Sequence, residues 1–255
     1  MSRFVVIADT DIGITKDINQ DSVVVKHAQM YNKEVMMAII CDGMGGLALG
    51  ELASASVVRS FSKWFDEELP YELLNLDMQI IAEKWVLLIK ELNLKILEYS
   101  KDIKGQGIGT TFSGLLIVDD LYLIVHVGDS RVYYIGQDVK QLTMDQTFVA
   151  REISRGNMTL EQAKKDKRRN MLLQCIGASK SVEPEVVMGR TQEGTYMLCS
   201  DGFRHEITEQ EMQENLKKEV LNTKEMMRIN ARKLIDLVKE RKEKDNISVV
   251  VIKSE

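Results

Sequence analysis

The sequence predicts an α+β fold, with antiparallel sheets that carry helices on their outer sides. Three observations predict it. Strand candidates rich in Val, Ile and Tyr are joined by very short turns, and tight connections of that kind mean antiparallel pairing. Long helices interrupt the strands in blocks: strands, two helices, more strands, a helical insertion, a strand, a helix pair, a final strand. That order lacks the βαβα alternation of a parallel sheet.

The elements follow in chain order. Strands are expected at 4–8, 22–27 and 34–41. A helix over 48–66 follows the glycines of "DGMGG". In 78–100 the apolar set Ile81, Trp85, Leu88, Leu92 and Ile96 keeps a 4-3-4-4 spacing, one face of an amphipathic helix. Strands at 112–118 and 121–127 are joined by the two-residue turn Asp119-Asp120, and 131–135 ends in a turn at Gly136-Gln137-Asp138. Two shorter helices begin with capping boxes, Thr159 with Gln162 and Thr208 with Glu211. Between them lie strands at 185–188 and 195–199. Met227, Ala231, Leu234 and Val238 repeat the helical spacing before a last strand at 247–252. The chain has two prolines and no Gly/Ser-rich linker, so 1–255 reads as a single domain.

Composition narrows the function. The chain has 255 residues, 44% hydrophobic and 29% charged, enough for a sizeable core. Its net charge of −5 offers no basic surface to nucleic acid or anionic lipid. The three cysteines, Cys41, Cys175 and Cys199, are an odd number, and two lie in apolar strand-like runs; reduced thiols are expected. No apolar run approaches the ~20 residues of a membrane span, and the N-terminus lacks signal-peptide organisation. A cytoplasmic monomer that touches neither membrane nor nucleic acid is expected.

Five aspartates sit in short loops beside the strand-like runs: Asp21 in "NQDS", Asp42 in "CDGMGG", Asp129 in "HVGDSR", Asp201 in "CSDGF" and Asp245 in "KDNIS". Carboxylates converging on one point repel one another unless a cation sits between them. Oxygen ligands select hard divalent ions, Mg²⁺ or Mn²⁺. A lone Asp-Gly is an ordinary turn, but "strand–Asp–Gly" recurs about 160 residues later, which suggests paired loops facing one site. The glycines after Asp42 let backbone approach an ion, so the Gly43 carbonyl is a candidate neutral ligand. A two-metal hydrolase is the expectation.

These fragments, with "GTTFSG", "QLTMDQTFV" and "RRNMLLQCIGA" in order between them, resemble the type-2C metal-dependent serine/threonine protein phosphatases (the PPM family), bacterial type. The resemblance implies a four-layer α/β/β/α sandwich of two antiparallel sheets flanked by helix pairs. It implies hydrolysis of phosphoserine and phosphothreonine by water held between two Mn²⁺ or Mg²⁺ ions, with phosphorylated proteins as substrates and a bacterial Ser/Thr kinase as the opposing partner. By position, Asp42 would bridge both metals, the Gly43 carbonyl would bind one, and Asp201 and Asp245 would hold the other. Asp21 would act through water. Asp129, sharing Asp201, would help bind a third, weaker metal. Asn246 would line the site. Residues 145–180 match a flap beside it.

The chain departs from the family pattern in several places. Lys16 stands where an arginine usually grips the substrate phosphate; it keeps the charge and loses the bidentate fork, and an exposed surface lysine is the alternative. Met44 and Leu47 stand where many members carry a histidine, and Gln20 replaces an acid. His205 is the one histidine near a site loop; His27 reads as a surface residue and His126 as a core residue. The flap run "KKDKRRN" reads as a solvated face or as a contact for acidic phosphoproteins. These departures leave a phosphoprotein-binding pseudophosphatase as the alternative to an enzyme.

Overall fold

In a computed structural model the described residues are 3–45, 49–102 and 107–255. They form two five-stranded antiparallel sheets and a short ribbon. One sheet has the order β1 (Phe4–Asp11), β12 (Ile247–Ser254), β11 (Gly194–Cys199), β8 (Arg131–Ile135), β9 (Val139–Gln141). The other runs β10 (Glu185–Arg190), β7 (Leu121–Val127), β6 (Phe112–Val118), β3 (Lys33–Cys41), β2 (Ser22–Met30). The ribbon pairs β4 (Gly43–Gly45) with β5 (Ile108–Thr110).

The layering follows from period-two alternation in strands that are buried on both faces. In β3, Val35, Met37, Ile39 and Cys41 pack under helices α1 (Gly50–Glu67) and α3 (Met78–Asp102), with Phe61, Trp85 and Ile89. The intervening Met36, Ala38 and Ile40 meet Leu198, Val250 and Ile252 of the opposite sheet. In β12, Val249 and Val251 turn outward to Met227, Ala231 and Leu234 of α8 (Lys224–Glu240), and to Met212 and Leu216 of α7 (Glu209–Leu216). Three apolar layers therefore separate four structural layers, which is the expected α/β/β/α sandwich. Double-sided burial also explains why the central strands read as unbroken apolar runs. Trp85 anchors the first helix layer, edge-on to Phe61 at 5.0 Å and perpendicular to Trp64 at 5.5 Å.

Most expected elements are present, with strands longer at their polar ends: β1 reaches Asp11, β2 Met30 and β12 Ser254. The Asp119-Asp120 turn is there, Asp119 taking φ of 53°. Both capping boxes form, at Thr159 and Thr208. The helix expected from residue 48 begins at Gly50; residues 46–48, and with them Leu47, lie outside the described residues. The β4–β5 ribbon, β9 and the short helices α2 (Leu69–Glu72), α4 (Phe148–Ser154) and α6 (Asp201–Arg204) were not expected, being too short or too glycine-rich to carry a periodic signal.

Register places the chemistry. Asp11 pairs with Ile247, and Cys199 with Arg131 and Val249. In the other sheet Ser22 pairs with Cys41, and Phe112 with Val127. The segments carrying Asp21, Asp42, Asp129, Asp201 and Asp245 thus all leave the sandwich at one end.

His126, in β7, is a fully buried core residue. Its Nε2–H donates to the Gly128 carbonyl at 3.0 Å, so Nδ1 is left to accept from the Ser113 hydroxyl at 2.9 Å. Burial pushes its pKa down to about 4 from an ordinary 6.5, against the opposing charge of Asp145. The folded state therefore binds fewer protons than the unfolded state between those values, and stability is lost as pH falls through that window. His126→Gln should reduce the loss between pH 7 and pH 4.5 by about 2–3 kcal/mol relative to the parent protein, measured by urea unfolding at both pH values.

Candidate metal centre

Asp42 follows β3 and is held by its main chain. Its N–H donates to Thr111 Oγ1 at 2.9 Å, and its carbonyl accepts from Thr110 Oγ1 and Thr111 N–H, each at 2.9 Å. The next residue packs backbone on backbone: a Cβ on Gly43 would collide with the Gly50 and Gln20 carbonyls. Burial, then the charges of Asp21, Asp201, Asp129 and Asp245 in that order, hold the Asp42 carboxyl well above the usual carboxylate range. Four other acids act on this one group, which makes it the centre of the cluster.

Asp21 precedes β2. Both of its carboxylate oxygens are buried without a hydrogen-bond partner. The Ser200 and Ser248 hydroxyls lie close enough to favour its charged form; Ser200 Oγ also accepts from Ser248 N–H at 3.0 Å, and Ser248 Oγ bonds Thr10 Oγ1 at 2.8 Å. Burial outweighs the hydroxyls, the charges of Asp201 and Asp245 add to it, and the pKa rises to about 7.

Asp201 opens α6 directly after β11, with Oδ1 buried and unpartnered. His205, one turn on, brings Nε2 to 3.9 Å from Asp201 Oδ2 and Nδ1 to 3.4 Å from Glu243. Glu243 is buried enough to raise its pKa, yet His205 and the N–H groups of Lys244 and Asp245 pull it down to about 2. Asp245 and Asn246 form the turn into β12. Asn246 is the clamp of the site: its Oδ1 accepts from Gln20 N–H at 2.9 Å, and its Nδ2 donates to the carbonyls of Ile12 (3.0 Å) and Ile18 (3.2 Å). It fixes the loop that carries Lys16 and Asp21. A Cβ on Gly202 would strike the Asn246 carbonyl, so only glycine lets α6 approach this turn.

Lys16 Nζ lies 3.0 Å from Asp245 Oδ1. Partial burial alone would lower its pKa; the bond to Asp245 and the charges of Asp245, Asp42 and Asp201 outweigh it. An ammonium group is thus drawn to the place where a metal cation is expected. Asp129, between β7 and β8, is buried and paired with Arg204 at 3.1 Å. Burial and the Asp201 charge push its pKa to about 7 although Arg204 opposes them.

The five aspartates and Lys16 are therefore brought together. Among the described residues no group of three or more acidic, histidine or cysteine side chains is already placed to hold a metal ion. The orphaned oxygens of Asp21 and Asp201, the mutual repulsion at Asp42 and the all-oxygen donor set nevertheless fit hard divalent cations. Met44 lies in β4 and supplies no acid or base. Sequence reading missed Arg204, Glu243 and the Thr110-Thr111 clamp. The clamp lies within the noted "GTTFSG" fragment; Arg204 and Glu243 stand among other charged residues and carry no signal of their own.

The relatives share this fold. A family profile described as Protein phosphatase 2C matches residues 14–238. Serine/threonine phosphatase stp of Listeria innocua is 34% identical over 214 residues, 82% of this chain and 81% of its own length. Serine/threonine protein phosphatase PstP of Mycobacterium tuberculosis is 31% identical over 248 residues, 96% of this chain, which spans 44% of that relative's length. The PstP catalytic domain solved with two manganese ions superposes with a TM-score of 0.77 at 27% identity, covering 98% of this chain and 97% of that domain. The S. agalactiae serine/threonine phosphatase superposes with a TM-score of 0.85 at 29% identity, covering 99% of this chain and all of that one. Matched across most of its length in sequence and fold, the chain belongs to the protein phosphatase 2C family.

Proposed function

We propose that the chain is a metal-dependent phosphoprotein phosphatase acting on phosphoserine and phosphothreonine. The observation that carries this reading is the meeting of five aspartates from five separate segments, with oxygens of Asp21 and Asp201 buried and unpartnered. Two manganese or magnesium ions would be held by Asp42, Asp201, Asp245 and the Gly43 carbonyl, with Asp21 acting through water. Bound there, the ions would acidify a shared water and offset charge on the phosphoryl oxygens. The chain's own residues do the rest. Thr110 and Thr111 keep Asp42 from swinging out of the cluster. Asn246 holds Asp21 against Asp42 and Asp201. Lys16, with its side chain 40% exposed, stands at the open side and supplies a positive charge to an incoming phosphate.

None of the three cysteines offers a competing nucleophile. Burial pushes the Cys199 thiol up to about 12 and the Cys41 and Cys175 thiols up as well, so none is a thiolate near neutrality. The reading extends to a single catalytic domain over 1–255 with 145–180 as its flap. That segment is pinned at its base by Leu173 N–H on the Gln146 carbonyl (2.8 Å), and Arg168 stacks on Phe148 at 4.0 Å. Its basic run is largely exposed, a solvated face. A Ser/Thr kinase is the opposing partner this activity requires. The protein is read as a cytoplasmic monomer; among the described residues no helix is long and apolar enough to cross a membrane.

With Mn²⁺ the purified protein should hydrolyse a phosphothreonine peptide, and EDTA should abolish turnover. Asp42→Ala and Asp201→Ala should each lower kcat/KM by roughly a thousandfold or more. Peptide that binds without turnover at any metal concentration would make the chain a binding module instead. Lys16→Ala should raise KM for the peptide more than it lowers kcat, read by steady-state kinetics. A further outcome concerns metal removal. Asp21 and Asp129 bind protons more tightly folded, with pKa values near 7, than unfolded, near 3.8. Stability of the metal-free protein should therefore fall as pH rises through about 7, and Mn²⁺ should restore it. Asp21→Asn should raise the metal-free Tm at pH 8 on the order of 5 °C and shrink the gain from Mn²⁺, both read by calorimetry.

A further inference from the structure

The corner of the cluster around Asp129 differs from the rest because it already holds a cation. Arg204, the last residue of α6, donates from Nη2 to Asp129 Oδ2 at 3.1 Å and from Nε to the Asp129 carbonyl at 3.2 Å. Its side chain is 10% exposed and that of Asp129 7%. The same Nη2 lies 3.7 Å from Asp145 Oδ2. Asp145 in turn takes a two-pronged contact from Arg131, Nε to Oδ1 at 2.7 Å and Nη2 to Oδ2 at 2.6 Å. We propose that Arg204 is the resident cation of this corner and takes the place of a third metal ion, so that the chain loads two divalent ions and no more.

The inference rests on the two-metal reading and goes beyond it. A third ion on Asp129 would need its carboxylate as a ligand, and the guanidinium already engages that carboxylate through Oδ2. Arginine stays protonated at any working pH, so its charge cannot be titrated away to admit a divalent ion at contact distance. Nor is Arg204 free to leave, because Asp129, Asp145, Arg131 and Arg204 form a linked tetrad of two acids and two bases, with side chains 7–25% exposed. Withdrawing one member would strand the opposite charges. Lys16 provides the contrast. It touches a single oxygen of Asp245, is 40% exposed and sits on a long loop, so it can yield to a metal.

The test counts ions rather than turnover. Purified protein is titrated with Mn²⁺ to saturation, and bound metal is followed by calorimetry and by the electron paramagnetic resonance of free Mn²⁺. The wild type should bind two ions, and Arg204→Lys, which keeps the charge, should also bind two. Arg204→Ala should bind a third ion, and adding Asp129→Asn to it should return the count to two. Three ions in the wild type, falling to two in Asp129→Asn alone, would overturn the proposal, as would a count of two in folded Arg204→Ala. The wild-type and Arg204→Lys titrations decide the matter should Arg204→Ala fail to fold. Fewer than two ions in the wild type would instead overturn the two-metal reading beneath it.

Discussion

Mutual repulsion among carboxylates governs the open end of this sandwich. Asp42 lies within the electrostatic reach of Asp21, Asp129, Asp201 and Asp245, and burial strips Asp42, Asp21, Asp129 and Asp201 of much of their water. An isolated chain would let such groups drift apart. Here the main chain forbids it. Asp42 is clamped by Thr110 and Thr111, Asp21 rides on a loop tied down by Asn246, and Asp201 follows a central strand straight into a helix. The energy needed to keep the acids together comes from elsewhere in the fold, from three apolar layers that hold the two sheets and their helices in fixed register.

Two internal cations temper that repulsion in different ways. Lys16 is a flexible point charge at the rim, leaning on Asp245. Arg204 is a rigid fork in the interior, committed to Asp129 and linked through Asp145 to Arg131. The first suits a role that involves moving aside or meeting a phosphate. The second suits a permanent structural charge. The chemistry of the two side chains, a single hydrated ammonium against a planar multi-donor group, matches the difference in their surroundings. Asp145 also stands at the base of the 145–180 segment, so the same tetrad joins the site's corner to the root of that segment.

Much of the fold was legible because double-sided burial leaves long apolar runs, and because tight turns such as Asp119-Asp120 announce antiparallel pairs. The β4–β5 ribbon was not, since Gly43–Gly45 and Ile108–Thr110 are short, and glycine carries no periodic signal. The start of the helix after "DGMGG", at Gly50, was hard to place for a related reason: it lacks a side-chain cap that sequence could reveal. The candidate acids were legible as a set through their repeated position in loops beside apolar runs, and the family resemblance assigned them roles.

Residue types and spacing alone determined which carboxylates were candidates, that the sheets are antiparallel, and that Cys41 and Cys199 are buried in strands rather than poised for reaction. Tertiary structure alone decided what stands beside each acid. Arg204 is 75 residues from Asp129 along the chain, and Asn246 is 226 residues from Gln20. No local pattern encodes such pairs. Strand register across two sheets brings them together, and a charge is felt through space rather than along sequence.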